Sequence, residues 1–312
     1  MRFPSASSSR SSKALPSVVL TGVALSLLLT ACGGNANSAS TAAGDTIDVV
    51  AVTNVYGNVV SEIGGNRVNV KSIIENTSQD PHSYETTAQD KLAVSKASLL
   101  VENGGGYDDF FSKLVPDADQ SKLIDVVDLS GLKTAQNADD FNEHVWYSLP
   151  TMSKLADTLA SKLGALDSAH AAEFTANANK FKASISGIEG KLAKVKTSSN
   201  GQPVAITEPV PLWMLESAGL VNKTPEAYSH AIEEGSDVPP SVLKAATDLI
   251  SSKGVKFLAY NDQTEGPQTE SLKNAASAAG VPVVNFTETL PEGQDYLGWM
   301  QQNAENIAKA LA

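Results

Sequence analysis

The chain has 312 residues, enough for two domains of ordinary size, and its 42% apolar content supplies a core and excludes global disorder. Formal charge is −12; the first 31 residues hold three bases and no acid, so the remainder carries 20 bases against 35 acids, a balance that repels nucleic acid and anionic lipid. A lone cysteine, Cys32, excludes an internal disulfide framework and any thiolate metal cluster.

In chain order, residues 1–13 are Ser-rich and carry Arg2, Arg10 and Lys13, and residues 16–29 are apolar. A basic start, a short apolar run and small residues before a break read as a secretory signal. The run, at about 14 residues, is short of the about 20 that a membrane-spanning helix needs. Leu29-Thr30-Ala31-Cys32 resembles the lipobox of bacterial lipoproteins. That resemblance implies cleavage before Cys32, a diacylglyceryl anchor on its sulfur, and a place on the extracytoplasmic face of a bacterial cell membrane. Residues 32–45 are small and polar, as in a flexible tether. Folded structure is expected from residue 46.

The spacing then predicts a buried strand over 47–52, a helix over 54–63 stopped by Gly64-Gly65-Asn66, and a strand over 68–74. A helix over 89–97, a strand over 98–102, a break at Gly104–Gly106, a strand over 122–127 and a helix over 149–163 follow. The second half repeats the scheme, with strands over 203–206, 255–260 and 281–286. Its helices are expected over 210–218, 240–251, 268–279 and 291–311. Alternating strands and helices predict an α/β fold of two lobes, each with a mainly parallel sheet flanked by helices. Between the lobes, Phe174, Ala178, Phe181, Ile185, Ile188, Leu192 and Val195 recur at intervals of four and three. This is one long helix with a continuous apolar stripe, with Asp167 or Ser168 as its N-cap. The expected units are a signal over 1–31, a tether over 32–45, an N-terminal lobe over 46–166, the linking helix over 167–196 and a C-terminal lobe over 197–312. A helix splinting two lobes allows only slight rocking on binding.

Four histidines can be weighed singly. His82 follows the second strand, in Asp80-Pro81-His82-Ser83-Tyr84-Glu85, where an open α/β sheet forms its binding crevice. His144 lies in His144-Val145-Trp146, ahead of an apolar helix. His170 and His230 read as solvated. The two motifs, 62 residues apart (82 to 144), resemble those of the zinc/manganese solute-binding proteins of ABC transporters, the ZnuA/TroA/PsaA-type family. The resemblance covers the mature chain, including the long helix and the closing segment from Gly293. It implies a third ligand after the first strand of the second lobe, where Glu208 stands, and a fourth after the last strand, where Glu288 stands. The residues alone do not select either glutamate. Asp262, also after a strand, is the alternative fourth ligand, and Asn261, Asp262 and Gln263 are candidates to brace the ligands by hydrogen bonds.

His82, His144, Glu208 and Glu288 make a formally neutral site with a divalent ion and supply four donors, enough for a closed tetrahedral site. A closed site favours binding over catalysis. The resemblance thus implies a lipid-anchored, monomeric receptor that hands the ion to an ABC permease and its ATPase. Glu208 in place of an imidazole hardens the site toward Mn²⁺, whereas the Irving–Williams order favours Zn²⁺, and both remain open. A metal-dependent hydrolase at the same site and a receptor for a metal chelate are the competing readings. The first needs an open coordination position and a general base. The second needs an aromatic or basic pocket, in a chain with 6% aromatic residues.

Overall fold

The computed structural model describes residues 46–79, 81, 84–138 and 140–312. The expected signal, the tether and Cys32 lie outside the described residues, as do Asp80, His82 and Ser83.

Apolar runs without alternation make strands buried on both faces. In β1 (Ile47–Thr53) every residue but Asp48 is buried. It is followed by α1 (Asn54–Gly64), β2 (Val68–Ile74), α2 (Ala88–Lys96), β3 (Leu99–Glu102), α3 (Asp109–Ser112), β4 (Leu123–Asp125) and α4 (Val126–Ser130). The strands form a parallel sheet in the order β2-β1-β3-β4. After α5 (Leu149–Leu166) and α6 (Ala171–Ser199) comes a second lobe. It comprises β5 (Pro203–Ile206), α7 (Leu212–Ser217), β6 (Val221–Asn222), α8 (Glu226–Glu233), α9 (Pro240–Ser251), β7 (Leu258–Asn261), α10 (Pro267–Ala279), β8 (Val283–Phe286) and α11 (Tyr296–Ala310). Its sheet runs β6-β5-β7-β8, again parallel. The expected two-lobe α/β fold is present.

Both sheets reverse strand order between their first and third strands, and ligands of such sheets bind where the loops part at that switch point. In the second lobe the loops there start at Thr207 and Asp262, the residues after β5 and β7.

The seven apolar stripe residues of α6 are all buried. The helix starts later than expected. Ser168–His170 form a 3-10 turn, and the Asp167 carboxylate lies 2.6 Å from His170 Nδ1 rather than capping α6. The strand expected over 122–127 stops at Asp125, because the Asp125 side chain accepts the Asp128 N–H and opens α4. The two-residue β6 and the short α8 carry too little periodicity to be read from the chain.

One apolar cluster runs from the strands of the first lobe through the α6 stripe to Ile206, Phe286 and the buried face of α11. A second, smaller one lies against α8, α9 and α10. Polar ties join the lobes as well. Asn54 Nδ2 donates to Leu290 O at 2.9 Å, and Asn54 Oδ1 accepts the Leu290 N–H at 2.9 Å. Tyr296 donates its N–H to Asn58 Oδ1 and its hydroxyl to Trp146 O. Among the described residues, no helix is long and apolar enough to cross a membrane.

Candidate metal centre

Glu208 is the second residue past β5, and Glu288 the second past β8. Each is 5% exposed, and His144 is 1% exposed. Two carboxylates this deeply buried need donors or a cation. Asn261, the last residue of β7, supplies donors to both. Its Nδ2 lies 2.6 Å from Glu208 Oε2 and 2.8 Å from Glu288 Oε1. The amide cannot be reversed, because Asn261 Oδ1 accepts the Gln263 N–H. Gln263 in turn holds the loop that carries Glu288. Its Oε1 accepts from the backbone N–H groups of Glu288 at 2.7 Å and Thr289 at 2.8 Å. Asp262 is engaged elsewhere, 4.0 Å from Lys273 Nζ and hydrogen-bonded to Asn285.

His144 comes from the first lobe, just before the 3-10 turn Val145–Tyr147. Its Nδ1 lies 2.7 Å from Asn142 Oδ1. Asn142 is oriented by the second lobe, since its Nδ2 donates to Pro209 O at 3.0 Å. Its oxygen therefore faces the ring and can only accept. Nδ1 carries the proton, and Nε2 keeps the lone pair that a metal needs. Trp146 packs edge-on against the imidazole, with ring centroids 5.0 Å apart.

Tyr107 connects the two halves. Its ring centre lies 5.8 Å from that of His144, and its hydroxyl donates to Glu288 Oε2 at 3.3 Å. The turn that delivers Tyr107 depends on glycine. Gly104 has φ +78°, and a Cβ there would meet the Asp125 carboxylate at 2.3 Å. Beyond the turn, Asp108 accepts the N–H groups of Asn103 and Gly104, closing the loop on itself.

Sequence reasoning missed Tyr107, Glu143 and Glu233. Glu143, His144 and Glu233 offer ligand atoms within 4.8 Å of one another. Glu233 Oε1 lies 3.8 Å from His144 Nδ1. Burial, together with the carboxylates of Glu143, Glu208 and Glu288, pushes Glu233 up to about 9. Only the adjacency of Glu143 to His144 was a signal within the chain. His230 is exposed as expected, and it lines the cavity beside this cluster.

Among the described residues, Glu208 and Glu288 meet at Asn261, while His144 stands beside Tyr107, whose hydroxyl reaches Glu288, and clusters with Glu143 and Glu233. The chain matches the family model described as "Zinc-uptake complex component A periplasmic" over residues 49–310. It belongs to that family. Curated relatives include the manganese ABC transporter substrate-binding lipoprotein scaA of Streptococcus gordonii, 24% identical over 306 residues that cover 91% of this chain and 94% of the relative. The iron ABC transporter substrate-binding lipoprotein MtsA of Streptococcus pyogenes serotype M1 is 23% identical over 304 residues, with the same two coverages. A crystal structure of ZnuA superposes with a TM-score of 0.70 at 21% identity, covering 86% of this chain and all of that one. It shares the two-lobe fold of this ZnuA-family chain.

Proposed function

We propose that this protein captures a divalent transition metal outside the cytoplasm and delivers it to an ABC importer. The ion is its cargo and is held by His82, His144, Glu208 and Glu288. The observation that carries this reading is the convergence of two buried glutamates on the single amide of Asn261. Like charges so placed are costly without a cation, and a divalent ion between them and two neutral imidazoles balances the site. Family membership and relatives named as metal-transporter lipoproteins support the same reading. The protein binds and releases the ion without turnover, as a monomer, and is tethered to the membrane by lipid on Cys32. Its partners are the importer's permease and ATPase. Asn261 and Gln263 brace the ligands, and Glu288 rather than Asp262 is the fourth ligand.

Between the ions, the two oxygen-bearing ligands of the second lobe favour Mn²⁺ over what an imidazole-rich site would do, while raw affinity favours Zn²⁺. The test is calorimetric titration of metal-stripped protein with each ion. Removing one of four ligands in His144→Ala or Glu208→Ala is expected to weaken binding by about 100-fold or more, on the order of what loss of even an outer-shell partner can reach. Wild-type affinity in either variant would overturn the ligand assignment.

A further inference from the structure

A cavity of about 990 Å³ opens beside the candidate metal centre. Asp140, Glu143, Glu226, Glu233 and Glu234 line it, with His230. Acidic walls alone raise the local concentration of any cation. What distinguishes this cavity is where it leads. Glu143 and Glu233 are at once wall residues and neighbours of the buried His144 imidazole. They come from opposite lobes, Glu143 from the loop before the 3-10 turn and Glu233 from the last residue of α8. Glu233 Oε1 is buried and has no hydrogen-bond partner among the described residues. A buried carboxyl oxygen in that state costs free energy unless something arrives to meet it. It can also turn toward an ion without breaking a hydrogen bond.

We propose that Glu233, with Glu143 opposite it, is the entry residue of the metal path. The incoming ion is coordinated first by these two carboxyl groups at the base of the cavity and then passed inward to His144 and the two buried glutamates. This rests on the metal-carrier reading and deepens it. Glu233 lies 3.8 Å from Nδ1, the nitrogen that Asn142 keeps protonated, so it is not placed as a ligand of an ion seated on Nε2 and touches the ion only in transit. A group that touches the ion only in transit lowers the barrier in both directions and leaves the equilibrium nearly unchanged.

Stopped-flow binding of Mn²⁺ to the metal-stripped mature protein tests this, with dissociation followed by chelator chase. In Glu233→Gln, association and dissociation are both expected to slow by about tenfold, within the range that local carboxylates change cation on-rates, while Kd stays within about threefold. Glu233→Asp keeps a carboxylate and is expected to restore most of both rates. Glu143→Gln, with folding checked by circular dichroism, is an independent arm and should show the same paired slowing. An unchanged association rate overturns the proposal. So does a change confined to faster dissociation, which would make Glu233 a holder of the seated ion. Wild-type protein that takes up neither Mn²⁺ nor Zn²⁺ would instead sink the carrier reading itself.

Discussion

Asn261 brings two buried acids from separate loops to one point. Its backbone N–H is held by Thr207 Oγ1 at 2.9 Å, its Oδ1 by the Gln263 N–H, and its Nδ2 serves Glu208 and Glu288. Every polar atom of the side chain has a defined task, so its rotamer is set before any ion arrives. Asn261→Ala removes the donor that the glutamates share and lets their repulsion part them. Metal affinity is expected to fall by about 10–100-fold, the usual cost of losing a group that orients ligands. Calorimetric titration measures it, and an unchanged Kd would mean that the glutamates are placed by their loops alone. His144 gains its tautomer from Asn142, two residues away in the chain, but Asn142 is itself oriented by Pro209 of the other lobe. The contact of Asn142 with the imidazole is local, and the one that orients Asn142 spans 67 residues of chain.

At the level of elements, α6 is the main mechanical link, its stripe packing into the apolar cluster that spans both lobes. Its stripe is buried along the whole length, and Phe181 stacks on Tyr296 of α11 with ring centres 5.8 Å apart. Phe181→Ala would open a void where both lobes meet and should cost about 3–5 kcal/mol. Gly187 and Gly190 lie in the same helix, and a Cβ added at either meets nothing within 4 Å. Gly187→Ala should therefore stabilise by about 0.5–1 kcal/mol, since glycine costs a helix that much in chain entropy. Urea denaturation of the two variants gives opposite signs if α6 is the structural spine. A loss below about 1 kcal/mol for Phe181→Ala would show that the stripe is not the seam between lobes. The stripe was legible because a period of 3.6 survives in sequence wherever one helix face is buried continuously. Short α8 has no such length, and so its terminal Glu233 went unread.

Across the whole molecule, the acidic balance leaves carboxylates inside as well as outside. Glu102, at the end of β3, is 4% exposed and accepts a hydrogen bond from Ser112 Oγ at 2.8 Å. Burial is the main cause, with Asp125, Asp109 and Asp128 adding to it, that pushes Glu102 from 4.5 to about 7. The folded state thus holds this proton more tightly than the unfolded chain does. Its contribution is full below the unfolded value, near 4.5, and is lost as pH rises through about 7. Metal-free protein should be less stable at pH 8 than at pH 5 on this account. Glu102→Gln keeps the acceptor for Ser112 and removes the charge, so it should shrink that difference by about 1–2 kcal/mol after allowance for solvent screening. Guanidinium denaturation at the two pH values decides it, and an identical pH dependence in the variant would assign the effect elsewhere.

Patterning along the chain was enough for the paired α/β lobes, the buried helix between them and the loop that carries His144. These follow from apolar periodicity, strand composition and glycine breaks, which act over a few residues and leave a local trace. It did not choose the glutamates; only the resemblance to a family pointed to Glu208 and Glu288. Tertiary structure alone joined Asn261 to both of them, and set Glu233 beside His144, 89 residues away in the chain (144 to 233). Such meetings depend on which loops the switch points of two sheets bring together, and no spacing along a chain encodes that.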